Sequence, residues 1–272
     1  MNSTKTEMPP AILLCGGQGT RLRDVAELVP KPMVPVGPHP IVWHIMKSYA
    51  AFGVRRFILC LGYKREVFIN YFMNYNSRAS DVTLRLGHEN DVIYHDSHEE
   101  EDWEITLADT GDRTMTGGRI ARAAKYLKPD DKDFFLTYGD AVSDIDIAAL
   151  LDRHRKGDKA LTVSAVHPAG RFGEMSIAHD GSVAGFFEKP QTEQGFINGG
   201  FMVAKREIID RYLTRDSDLV FEQEPMQAIQ QDGEMLAYQH NGFWQCMDTP
   251  REYQLLNELW DNGQRPWMNP QA

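Results

Sequence analysis

An α/β fold is predicted: one doubly wound, mostly parallel, Rossmann-like sheet with helices on both faces and a small additional β/loop subdomain. Three observations carry this expectation. Short apolar runs bounded by glycine recur along the chain, stretches with helical spacing separate them, and 42% apolar with 25% charged residues is ordinary globular usage. A run such as Ala11-Ile12-Leu13-Leu14-Cys15 has no polar face, as a strand covered on both sides requires.

The elements follow in order. Residues 1 to 9 are polar and predict a frayed start, and the run from Ala11 is the first strand. From Ile41 to Phe52, Val42, Ile45, Met46 and Tyr49 share one helical face, and Gly53 stops the helix. Phe57 to Leu61 is the next strand, Glu66 to Asn76 the next helix, and Val82 to Leu86 alternates as a strand. Between Asp91 and Thr116 the alternation breaks. His95-Asp96-Ser97-His98-Glu99-Glu100-Glu101-Asp102 sets histidines among acids, a combination a metal site can use, but a charge run this dense is read as a solvated loop. Phe134 to Tyr138, stopped by Gly139-Asp140, is again a strand, Ile147 to Lys156 a helix and Ala160 to Val166 a strand. Glu252 to Trp260 has helical spacing, and the tail from Gly263 is expected to pack over the surface or against a neighbouring subunit. Alternation with connections of helix length gives the parallel sheet, whose ligands sit at the carboxyl ends of the strands.

A net charge of −10 repels a phosphate backbone, so no nucleic-acid partner is expected and any anion must be held by a local pocket. The start Met1-Asn2-Ser3-Thr4-Lys5 has no apolar leader, and the longest apolar runs are too short to cross a bilayer. No membrane partner and a cytoplasmic location are expected. Cys15, Cys60 and Cys246 lie in or beside apolar stretches without CxxC spacing and read as small core residues.

The strongest chemical signal is Leu14-Cys15-Gly16-Gly17-Gln18-Gly19-Thr20-Arg21-Leu22, directly after the first strand. Glycines there let backbone N–H groups approach a phosphate, and a following helix N-terminus favours negative charge. The spacing is neither GxGxxG nor a loop ending in GK[ST], which argues against a nicotinamide-dependent oxidoreductase. The glycines alone would serve a plain turn; Thr20, Arg21 and Lys31 together point to an anion cradle. Pro30 and Pro32 restrict the backbone around Lys31. Asp140 and Asp248 each follow a strand and offer hard oxygen ligands suited to Mg²⁺. Either could instead be a cap or turn residue, Asp248 above all because Thr249-Pro250 follows. Glu188-Lys189 before Pro190 reads by itself as a surface pair as readily as a binding one.

Strand-GGxGTRL followed by Lys31-Pro32-Met33, then Thr137-Tyr138-Gly139-Asp140, Phe187-Glu188-Lys189-Pro190, Asn198-Gly199-Gly200-Phe201 and Met247-Asp248-Thr249, resembles the sugar nucleotidyltransferase family from about Ala11 to Trp267. Trp43-His44-Ile45-Met46, Asp109-Thr110-Gly111, Met115-Thr116-Gly117-Gly118-Arg119 and Gly242-Phe243-Trp244-Gln245 resemble its glucose-1-phosphate cytidylyltransferase branch. Cys15 and Gln18 depart from the usual alanine and leucine. The resemblance implies transfer of a cytidylyl group from CTP to glucose 1-phosphate with Mg²⁺ as cofactor, in a homo-oligomer. It places Leu14, Cys15, Gly16, Gly17, Gln18, Gly19, Thr20, Arg21, Lys31, Thr114, Arg119 and Gly139 at the nucleotide. Arg171, Glu188, Lys189, Asn198 and Gly199 fall at the sugar phosphate, Asp140 and Asp248 at the metal. Arg21, Lys31, Asp140 and Lys189 are the expected catalytic residues. One domain, 1–272, is expected, with a nucleotide half at about 9–150, a sugar-phosphate half at about 151–250 and a C-terminal helix and tail. Two rivals stand: a uridylyl- or thymidylyltransferase acting on glucose 1-phosphate or a modified hexose 1-phosphate, and an inactive regulatory subunit that binds nucleotide sugar.

Overall fold

A computed structural model describes residues 7–17, 29–85, 91–100, 102–168, 174–177, 182–187 and 195–268. Its strands are β1 Ala11–Leu14, β2 Pro35–Val36, β3 His39–Pro40, β4 Arg56–Leu61, β5 Val82–Leu84, β6 Val92–Tyr94, β7 Glu104–Asp109, β8 Asp133–Tyr138, β9 Ala141–Ser143, β10 Leu161–Val166, β11 Glu174–Ile177, β12 Val183–Phe187, β13 Ile197–Lys205, β14 Met235–His240 and β15 Trp244–Cys246. The helices are α1 Ile41–Ala51, α2 Arg65–Met73, α3 Tyr75–Ala79, α4 Thr116–Ala123, α5 Ile147–Gly157, α6 Ile208–Tyr212, α7 Glu224–Gln231 and α8 Pro250–Asp261.

Seven strands form one sheet in the order β14-β10-β13-β8-β1-β4-β7. β1 runs parallel to β4 and β8, and β4 parallel to β7, while β13 lies antiparallel to both β8 and β10. Period-2 geometry sorts the apolar run of β1 between two cores. Ala11 and Leu13 pack with α1, α5 and α8 on one face; Ile12 and Leu14 pack with α4, α6 and α7 on the other. Both faces are thereby covered, which is why the central strands carry no polar stripe. Leu14 is level with Cys60 of β4 and Tyr138 of β8, so three strands end at one height.

The structure corrects the sequence reading at several points. Between Asp91 and Thr116, where the alternation was expected to break, lie β6 and β7, one on each side of the acidic run, whose described residues form neither helix nor strand, as expected of a loop. β7 is an edge strand that turns Ile105 and Leu107 onto one core, and acidic residues flank it, so its alternation is diluted in sequence. Within the acidic run, Glu100 ion-pairs Lys47 at 2.6 Å and His98 sets its ring against Tyr75. The helix expected from Glu66 to Asn76 breaks at Asn74 into α2 and α3, and β5 ends at Leu84. Helix α4 holds Gly117 and Gly118, poor helix formers. A Cβ on Gly118 would lie 2.2 Å from the Asp216 carbonyl oxygen, so close packing rather than propensity sets this helix. Of the tail, Trp267 is fully buried and stacks on Phe243 of the same chain, in keeping with packing over the surface.

Candidate active site

Level strand ends leave a notch, and the loops that follow them line a cavity of about 350 Å³. Its floor is Leu14, Cys15, Gly16 and Gly17 after β1, and Tyr138, Gly139 and Asp140 after β8. Thr114, Met115, Thr116 and Arg119 form one wall, and Lys31, Pro32 and Asp248 the other.

Arg119 anchors the floor. Its guanidinium, almost fully buried, donates from Nη1 to the Leu61 carbonyl at 3.0 Å and to Thr110 Oγ1 at 2.8 Å. Nη2 donates to the carbonyls of Gly16 at 2.8 Å and Asp112 at 3.3 Å. A Cβ on Gly16 would fall 2.1 Å from Cζ of that guanidinium, so only glycine lets the loop rest on it. Arg119 was expected at the nucleotide; it lines the cavity while its hydrogen bonds hold the loop. Burial lowers its pKa from the ordinary value. Thr114 Oγ1 accepts from Arg122 at 2.6 Å, which fixes the adjoining wall.

Lys31 opens a short 3-10 turn, Lys31–Met33, framed by the two prolines. Its ammonium donates to Asp140 Oδ2 at 2.6 Å and to Asp248 Oδ1. Burial alone would lower the Lys31 pKa, but Asp140 and then Asp248 outweigh it and hold the pKa above its usual value. Strands β9 and β15 bring the two aspartates together. They pair antiparallel, Cys246 opposite Ala141, and Met247 N donates to the Asp140 carbonyl at 2.9 Å. Asp248 is not the cap of α8. Thr249 caps α8, in a capping box with Glu252, and the Asp248 side chain turns to Lys31 instead.

Asn198 and Gly199 begin β13 beside the cavity rather than in its lining. Asn198 Oδ1 accepts from Gly200 N at 2.9 Å, and the Gly199 carbonyl accepts from Trp244 Nε1 at 2.8 Å. Gly200 has φ +81°, and a Cβ there would lie 2.5 Å from the Tyr138 ring. Gln18, Gly19, Thr20, Arg21, Arg171, Glu188 and Lys189 lie outside the described residues. The sequence reading gave no role to Pro32, Met115, Thr116 or Tyr138, which also line the cavity. Their signal was adjacency, since each sits within a motif already singled out.

Residues 10–258 match the family described as Nucleotidyl transferase, a span that takes in every strand named above. The chain belongs to this family. It is 46% identical over 257 residues to the glucose-1-phosphate cytidylyltransferase of Salmonella typhimurium, covering 94% of this chain and 98% of that one. It is 38% identical, with the same coverage, to a probable glucose-1-phosphate cytidylyltransferase of Bacillus subtilis. The crystal structure of HddC from Yersinia pseudotuberculosis shares the fold, with a TM-score of 0.66 at 24% identity over 93% of this chain and 100% of that one.

For a nucleotidyl transferase the cavity has the required parts. Main-chain groups of a glycine turn, a lysine ammonium and two carboxylates border one space. Asp140 and Asp248 already share one cation, the Lys31 ammonium, and supply only hard oxygen donors. A divalent ion that keeps several waters and bridges to substrate phosphates needs no more from the protein, so this donor set fits such an ion. No helix among the described residues is long and apolar enough to cross a membrane.

Proposed function

We propose that this nucleotidyl transferase moves a cytidylyl group from CTP to α-D-glucose 1-phosphate, giving CDP-glucose and pyrophosphate. The observation that carries the chemistry is the convergence of Lys31, Asp140 and Asp248 at a cavity floored by Gly16 and Gly17. The choice of base and sugar follows from the relative that is 46% identical along nearly its whole length.

Transfer of this kind needs alignment and charge neutralisation more than covalent help. An oxygen of the sugar phosphate forms a bond to the α-phosphorus in line with the bond to the β-phosphate oxygen. That bond breaks, and its electron pair leaves with pyrophosphate. The glycine turn presents N–H groups to the triphosphate; Lys31, with Arg21 by its motif, neutralises the departing charge. Lys189 orients the attacking phosphate, Glu188 and Asn198 accept or donate hydrogen bonds at sugar hydroxyls, and Arg171 borders the same pocket. Asp140 and Asp248 would hold Mg²⁺, which would supply charge neutralisation at the phosphate oxygens. The enzyme acts in the cytoplasm as a homo-oligomer.

Pyrophosphate release by the purified protein over a grid of CTP, UTP, dTTP and GTP against several hexose 1-phosphates, with and without Mg²⁺, tests this reading. Highest turnover is expected for CTP with glucose 1-phosphate. A preference for UTP or dTTP would replace the base assignment, and silence with every pair would leave only a binding subunit.

A further inference from the structure

Outside the residues already assigned, one carboxylate fixes the hydrogens of two hydroxyls that line the cavity. Glu222 stands between α6 and α7, 84 residues from Tyr138 and 106 from Thr116. Its Oε1 accepts from the Tyr138 hydroxyl, and its Oε2 accepts from the Thr116 hydroxyl at 2.6 Å. The segment that carries Glu222 is fastened to the same wall. Phe221 is fully buried, and its N–H donates to Thr116 Oγ1 at 2.9 Å. Met115 N donates to the Ser217 carbonyl at 2.7 Å and Gly117 N to that of Leu219 at 2.9 Å.

A hydroxyl has one hydrogen to give, and a carboxylate has none. Tyr138 and Thr116 both spend theirs on Glu222, so toward a ligand in the cavity they can only accept. Thr116 uses one lone pair on Phe221 N and keeps the other. The cavity is also divided by charge. The groups suited to phosphates are the glycine turn, Lys31, Asp140 and Asp248. Across from Lys31 and Asp248, the only charged group on the wall of Thr114, Met115 and Thr116 is Arg119, whose guanidinium is spent on protein acceptors. Met115 keeps 45% of its surface exposed, an apolar face for a flat ring. A triphosphate seated on the first set of groups leaves this wall to its base. Cytosine carries an amino donor at the ring position where uracil and thymine carry a carbonyl acceptor. An acceptor-only wall pairs with the amino group and sets lone pair against lone pair with the carbonyl.

We propose that Glu222 makes the cavity select cytosine: by holding the Tyr138 and Thr116 hydrogens, it turns both hydroxyls into obligate acceptors for the amino group of the base. The inference rests on the transfer reaction proposed above and names the residue that decides its base.

The test compares kcat/KM for CTP, UTP and dCTP in wild type, Glu222→Gln, Glu222→Ala and Tyr138→Phe, with the hexose 1-phosphate that gives wild-type turnover. A hydrogen bond made to one ligand and denied to its rival changes their ratio on the order of ten- to a hundredfold. The glutamine amide can donate to one hydroxyl, which turns that hydroxyl's own hydrogen free to meet a carbonyl. The CTP-to-UTP ratio is therefore expected to fall on the order of tenfold in Glu222→Gln and in Glu222→Ala, partly through better use of UTP. Tyr138→Phe should lose CTP without gaining UTP. The CTP-to-dCTP ratio should stay within about twofold of wild type throughout. Equal weakening of CTP and UTP, as a merely structural contact would give, overturns the proposal. So does wild-type selectivity in Tyr138→Phe, or a change confined to the CTP-to-dCTP ratio, which would put the hydroxyls at the ribose. A wild type that turns over no pair, or that prefers UTP, removes the proposed reaction or its base and this inference with it; a wild type that prefers CTP leaves Glu222 to be judged alone. If Glu222→Ala melts early, Glu222→Gln and Tyr138→Phe decide on the same ratios.

Discussion

His44 makes the stability of this chain fall in acid by an amount the structure sets. The imidazole is fully buried on α1. Its Nε2 donates to the Val36 carbonyl at 2.8 Å, and its Nδ1 accepts from Trp267 Nε1 at 3.3 Å, so both nitrogens are used by the neutral ring. Trp43, Trp260 and Trp267 present their rings edge-on around it. Burial pushes its pKa down from 6.5 to about 4. The sign follows from the order of protonation. As pH drops below about 6.5 the unfolded chain takes up the proton while the folded chain refuses it, so stability is lost between about 6.5 and 4 and the loss then levels off. Each pH unit costs about 1.4 kcal/mol, which sums to roughly 2.5 kcal/mol between pH 7.5 and 4.5. His39 and His154 also have lowered pKa values through burial, so the wild-type curve alone does not isolate His44. His44→Gln does, because its amide can still donate to Val36 and has no charge to gain. Urea unfolding of both proteins at one concentration from pH 7.5 to 4.5 should show the wild type ahead at neutral pH and its lead shrinking by about 2.5 kcal/mol. Parallel curves would show that His44 does not titrate in this window and that the reasoning fails.

Other substitutions test the site. Lys31→Ala and Asp140→Asn should each lower the turnover rate on the order of a hundredfold, read as pyrophosphate release with both substrates saturating. Arg119→Lys keeps the charge but cannot reach four acceptors at once, so it should lose about 2–3 kcal/mol in denaturant unfolding and loosen the glycine turn. Gly200→Ala forces a side chain into a left-handed backbone and into the Tyr138 ring. A loss of about 1–3 kcal/mol is expected in thermal unfolding, with a raised KM for the sugar phosphate.

What the sequence by itself determined is the local part. Buried strands such as Ala11–Leu14 and Arg56–Leu61 were legible because a segment covered on both faces must be apolar throughout, a requirement written in consecutive residues. Gly16 was legible too, since a chain that leaves a strand and rests there on the Arg119 guanidinium admits no side chain at that position. Edge strand β7 and helix α4 were not, because their signals are diluted by acids and glycines and their form is set by neighbours in space. By resemblance the sequence reading set Asp140 and Asp248 at one metal and Lys31 at the nucleotide. Only the tertiary structure decided that a residue 109 positions away and another 217 away meet the same ammonium, through the pairing of β9 with β15. Glu222 had no signal at all, because an exposed acid in a connecting segment looks like any solvated carboxylate until the chain folds Tyr138 and Thr116 against it. Covalent neighbours and burial fix strands and turns at short range; which charges share a site depends on strand order, which no short stretch of the chain encodes.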